Sequence, residues 1–133
     1  MQIKKLCKQI NDNAKEKGFW DQERNVGELL MLVVSEISEA LEAHRSGNTY
    51  NGKAETGICS SMIDFCMNKK NYNAANWNQI YELELKNCFE TEIADAIIRL
   101  LDLYTGLDID IEKFIEMKMH YNKSREKMHG KKY

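Results

Sequence analysis

The chain has 133 residues, 43% hydrophobic and 30% charged, with no proline. That is one domain's worth of polypeptide with the composition of an ordinary globular protein, and the missing proline suits a chain dominated by helix. A formal net charge of −2 excludes the broad positive field that nucleic acid or an anionic membrane surface would require, so an anionic substrate must be met by local charge.

The N-terminal stretch Met1–Lys5 is basic but runs directly into polar Lys8-Gln9-Ile10-Asn11-Asp12. It has no apolar signal-peptide segment, and no run approaches the ~20 residues of a membrane span. A cytoplasmic protein is therefore expected, with Cys7, Cys59, Cys66 and Cys88 as reduced thiols. Their spacing makes no CxxC pair, and His44, His120 and His129 complete no zinc set.

The first helix is expected from about Ile3 to Lys17, with Ile3, Leu6, Cys7, Ile10 and Ala14 at helical spacing and Gly18 ending it. Asn25 opens the second, with Glu28 placed to close a capping box. Its apolar set, Leu29, Leu30, Leu32, Val33, Val34, Ile37, Ala40 and Leu41, is too dense for a surface helix, and it ends near His44-Arg45. The segment 48–86 is rich in Asn, Gly, Ser and Lys; within it, Asn68–Asn73 reads as loop, and Ile58–Met67 and Trp77–Leu85 as short helices. A third long helix begins between Asn87 and Thr91, with Asn87 and Glu90 offering a capping box. It carries Ile93, Ile97, Leu100, Leu101 and Tyr104 and stops at Gly106. The fourth starts at Asp108 or Asp110 and carries Ile111, Phe114, Ile115 and Met119. These elements describe an all-α, four-helix-bundle-like fold in a single domain spanning 1–133.

Two acidic pairs stand out. Glu36 and Glu39 are three residues apart, as are Glu92 and Asp95, so each pair shares one helix face. Placing residues at ~100° intervals sets Glu36 inside an apolar arc between Leu29 and Ala40 on one side and Leu32 and Ala43 on the other. A carboxylate so placed loses solvation and needs a cation or a strong donor. Glu39 lies at the edge of that arc, Glu92 beside Leu103, and Asp95 nearer the polar face, close to Arg99. Two arrangements satisfy these groups. One is a hard-cation site, for which carboxylates without thiolate or imidazole suit Mg²⁺ or Mn²⁺ better than zinc. The other is a set of ion pairs with Arg99 or a lysine. On the fourth helix Lys118, Asn122 and Arg125 share a face; they are suited to phosphate oxygens, although cations also simply stabilise a helix C-terminus.

The combination of Glu36-x-x-Glu39, Glu92-x-x-Asp95 and Lys118-x-x-x-Asn122 resembles the MazG-like group of all-α nucleotide pyrophosphohydrolases. The surrounding Lys17-Gly18-Phe19-Trp20, Leu32–Glu42, Glu92–Asp102 and the closing Lys118–Asn122 through His129–Lys132 are similar to that family as well. The resemblance covers 1–47 and 87–133. It implies a MazG-type four-helix core and Mg²⁺-dependent hydrolysis of (deoxy)nucleoside triphosphates between the α and β phosphates, yielding a monophosphate and pyrophosphate. It implies that Glu36, Glu39, Glu92 and Asp95 hold the metal, one of them also orienting or deprotonating the attacking water. It implies further that Lys118 and Asn122, with Arg125, contact phosphates, and that the chain forms homodimers or homotetramers. Trp20 stands where related proteins shape the base pocket; a core or interface aromatic is the competing reading. The departure is the long connection between the acidic motifs, an insertion at about 56–86 between helices two and three, which bears on base selectivity and subunit arrangement. Competing functions are a base-selective dUTPase- or dCTPase-like relative and a non-catalytic helical interaction module.

Overall fold

A computed structural model describes residues 3–50 and 73–126, and among these every regular element is helical. In chain order they are α1 (Ile3–Glu16), α2 (Val26–Arg45), α3 (Ala74–Ile80), a π-helical turn (Tyr81–Leu85), α4 (Phe89–Gly106) and α5 (Ile111–Lys123). None of these helices is long and apolar enough to cross a membrane. The expected helix over Ile58–Met67 lies outside the described residues, as does nearly all of the expected loop over Asn68–Asn73. The expected helix over Trp77–Leu85 is present but starts earlier, at Ala74, and becomes π-helical from Tyr81.

Three helices end in the same hydrogen-bonded motif. After α1, Gly18 at φ +81° lets Phe19 N–H reach the Ala14 carbonyl (3.0 Å) while its own N–H reaches Lys15 (3.0 Å). Gly47 at φ +73° does the same after α2, with Asn48 bonded back to Ala43 at 2.8 Å. Left-handed backbone is inexpensive for glycine, and the motif satisfies carbonyls the helix leaves open. At the end of α4 the left-handed residue is Asp108 (φ +54°), with Ile109 N–H on the Tyr104 carbonyl at 2.8 Å. Gly106, expected as the terminator, is instead the last residue of the helix. Asp108 tolerates the left-handed region better than most side chains do. The start of α5 is as the sequence indicates: Asp110 caps it, accepting from Lys113 N–H at 3.2 Å. The α4 start differs from the expected box. Glu90 accepts from the backbone N–H of Tyr50 at 2.8 Å, and the Thr91 hydroxyl serves the carbonyls of Leu85 (2.7 Å) and Cys88 (2.8 Å).

The chain divides into two compact units, residues 1–25 with 100–133, and residues 26–99. In the first, Cys7, Leu101 and Ile111 form a buried cluster flanked by Ile3, Ile10, Tyr104 and Ile115. Lys4 reaches across from α1 to Asp110 at 2.8 Å. Beside that cluster lies a polar one. Asn11, 2% exposed, donates to Asp102 at 2.8 Å, and the Trp20 indole N–H donates to the same carboxylate at 3.0–3.1 Å.

In the second unit α2 and the first part of α4 run antiparallel: His44 meets Phe89 edge-on at 5.2 Å, and Glu36 meets Arg99. Among the described residues, those buried there are Val33, Glu36, Ala40, Ala43, Leu85, Cys88, Glu92 and Ala96. This corrects the expected stripes. Of the dense α2 set, Leu30, Leu32, Val34, Ile37 and Leu41 are exposed on the single chain, as are Ile93 and Ile97 on α4. The buried positions of α2 are instead Val33, Glu36, Ala40 and Ala43.

Candidate metal centre

Two helices build the centre. On α2, Glu36 and Glu39 sit one turn apart; on α4, Glu92 emerges in the first turn, just beyond the Thr91 hydroxyl that ties α4 back to the π-helical turn. One carboxylate oxygen from each of Glu36, Glu39 and Glu92 lies within 4.8 Å of the others. Glu36 and Glu92 are 8% and 4% exposed, whereas Glu39 is open to solvent and accepts from the Ser35 hydroxyl at 3.2 Å. Like charges gathered in so small a volume, two of them withdrawn from water, are unfavourable without a counter-charge.

The electrostatics record that conflict. Burial raises the Glu92 carboxyl above its ordinary value, and Glu39, Asp95 and Glu36 push it further. Asp95 is raised by burial and by Glu36, an effect that Arg99 offsets in part. Among the described residues the counter-charge is the Arg99 guanidinium, whose Nε donates to Glu36 at 2.7 Å. Asp95 stands outside the converging trio, although its carboxylate feels the charges of both Glu36 and Glu39.

The donor set suits a hard divalent cation: three carboxylates, with no thiolate or imidazole among them. An octahedral ion with bonds of ~2.1 Å spans ligand oxygens up to about 4.2 Å apart.

The apolar setting read around Glu36 foretold its burial. That of Glu92 was not legible, because the residues that cover it are brought in by tertiary packing. A second neighbour, Tyr81, escaped the sequence reading. Its phenol is half-buried and raised first by burial and then by Asp95 and Glu92, and its ring lies 6.0 Å from that of Trp77. No residue pattern signals it, since the π-helical turn shifts the register by which a helix face is read.

The remaining expected site residues lie in the other unit. Lys118 and Arg125 flank the Tyr121 ring, at 5.2 and 5.6 Å from its centroid, with Asn122 exposed beside them on α5. That aromatic partner was not anticipated. Trp20, for which a base-pocket role and a core or interface position were both open, has its indole N–H committed to Asp102. Its ring lies so close to Gly106 that a Cβ there would fall 2.1 Å from a ring carbon. Those contacts are the ones expected of a core aromatic. In comparisons with known proteins, no family model, no curated protein and no solved structure matches this chain.

Proposed function

We propose that the protein is a Mg²⁺-dependent nucleoside-triphosphate pyrophosphohydrolase of the MazG-like kind, cleaving (deoxy)nucleoside triphosphates between the α and β phosphates. The observation that carries this reading is the convergence of Glu36, Glu39 and Glu92 within 4.8 Å. Asp95, one turn beyond Glu92 and coupled to the same charges, is the fourth member of the proposed set. When bound, the ion neutralises phosphate charge and lowers the pKa of a bound water. The chain's own residues do the rest. Glu36, Glu39, Glu92 and Asp95 orient the ion, and one of them takes the proton of the attacking water. The water oxygen bonds to the α phosphorus, the bond from that phosphorus to the bridging oxygen breaks, and pyrophosphate leaves with the electron pair. Lys118, Asn122 and Arg125 are proposed as phosphate contacts. The uncovered apolar residues of α2, Leu30, Met31, Val34, Ile37 and Leu41, support a homodimer or homotetramer.

The Arg99–Glu36 pair favours one second reading, in which the carboxylates are neutralised permanently and the helices serve as an interaction module. A panel of NTPs and dNTPs incubated with Mg²⁺ separates the two, with pyrophosphate and orthophosphate assayed apart. Pyrophosphate and a monophosphate in equal amounts are expected. Orthophosphate as the sole direct product would sink α–β cleavage, and no turnover of any nucleotide would favour the interaction module.

A further inference from the structure

Arg99 follows Asp95 by four residues and so lies one turn further along the same face of α4. Its pairing with Glu36 is unequal. The Glu36 side chain is 10% exposed and that of Arg99 41%, so the acid is fixed in the interior while the cation arrives from solvent on a long stem. Among the described residues, no other ion pair reaches Glu36, Glu39 or Glu92; the remaining pairs join Lys4 to Asp110, Lys8 to Asp12, Arg45 to Glu42 and Lys86 to Glu82. A guanidinium keeps its charge at any working pH and cannot yield by deprotonation. A second cation entering the trio must therefore either bear its repulsion or move it aside. Exposure allows the second course. Once moved, a planar fork of donors one turn from the carboxylates is suited to an anionic oxygen arriving with the ion.

We propose that Arg99 is a resident counter-cation that occupies Glu36 in the metal-free protein, is displaced by the divalent ion, and then takes a phosphate oxygen of the bound nucleotide. This rests on the metal and nucleotide reading given above. It makes Arg99 both a brake on binding of the bare ion and a positioning residue for the substrate. Metal and nucleotide then bind cooperatively, because each removes a cost the other would meet.

The test measures Mn²⁺ binding without nucleotide, by electron paramagnetic resonance, in wild type, Arg99→Met and Arg99→Lys. Met keeps most of the stem and loses the charge; Lys keeps the charge and loses the fork. Arg99→Met should bind Mn²⁺ roughly tenfold more tightly, while Arg99→Lys stays near wild type. In steady-state hydrolysis, Arg99→Met should raise the KM for nucleotide by a similar factor, with Arg99→Lys rescuing it in part. A merely structural ion pair predicts weaker or unchanged Mn²⁺ binding in Arg99→Met, and that result overturns the proposal. Should Arg99→Met fail to fold, the wild-type chain still decides. The Arg99 Nε–H resonance should exchange with water faster on saturation with Mg²⁺, and an unchanged rate overturns the displacement. Wild type that binds no divalent ion overturns the metal reading itself, and this inference with it. Wild type that binds and hydrolyses, without tighter binding in Arg99→Met, overturns the inference alone.

Discussion

Each unit of this protein buries polar side chains between helices, and the two do it in opposite ways. In the first, the Asp102 carboxylate receives N–H groups from Asn11 and Trp20, neutral donors held in place by buried packing. Every partner there is satisfied from within the chain, and the arrangement asks for nothing more. In the second, Glu36, Glu39 and Glu92 converge, and among the described residues the ion pair that reaches them is from the half-exposed Arg99 to Glu36. Among the described residues that arrangement is poorly satisfied, and burial, followed by the neighbouring carboxylates, raises the proton affinity of Glu92 and Asp95. The contrast distinguishes a polar cluster that stabilises a fold from one that stores a demand for a ligand.

Substitutions should separate the two roles. The largest effect is expected for Glu36→Gln, which removes one of the proposed metal ligands and should lower the proposed turnover by at least about a hundredfold while leaving helical circular dichroism intact. Asp95→Asn should behave likewise. Full activity in either variant would remove that residue from the metal set.

Next in size is Gly106→Ala. A Cβ at that position meets the Trp20 ring at 2.1 Å, and displacing an indole held on Asp102 should cost about 1–3 kcal/mol. Differential scanning calorimetry should show a melting temperature several degrees lower, with Mn²⁺ affinity unchanged because the site lies in the other unit. A variant that lost metal binding but not stability would erase the distinction drawn here.

Lys118→Ala tests whether α5 takes part in the chemistry. Loss of the proposed phosphate contact should raise the nucleotide KM by roughly tenfold, in line with about 1.5 kcal/mol for a charge-assisted hydrogen bond, with little change in melting temperature. Unchanged kinetics would confine Lys118 to its contact with Tyr121.

The smallest effect is in pH dependence. Because the folded-state pKa of Glu92 is raised, folding is favoured when that carboxyl is protonated. Its contribution is full below the ordinary carboxylate range and is lost as pH rises through the folded value. At neutral pH and without metal, Glu92→Gln should therefore melt above wild type, and the gap should close as the solution is acidified into the carboxylate range. A gap that widened on acidification would mean that Glu92 is stabilised in its charged form, contrary to the repulsion inferred here. The same protons compete with a cation, so Mn²⁺ affinity of the wild type should fall over that range as well.

The local signals in the chain were strong enough to locate its helices. Periodicity placed α1, α2, α4 and α5 to within a few residues, Gly18 and Asp110 marked a stop and a start, and the apolar arc around Glu36 foretold its burial. These are short-range effects, set by backbone sterics, capping and side-chain periodicity along one helix. Which apolar residues the chain covers was a different matter. α2 carries more of them than one face can bury, and Val33 with small Ala40 and Ala43 is covered while Ile37 and Leu41 stay exposed. Tertiary packing alone decided that Glu92 rather than Asp95 completes the trio, that of the cations the sequence left open it is Arg99 that pairs with Glu36, that Tyr81 stands by the acids, and that Trp20 is locked onto Asp102. Each of these joins residues distant in the chain or turns on a shift of helical register, and no pattern confined to one helix carries that information.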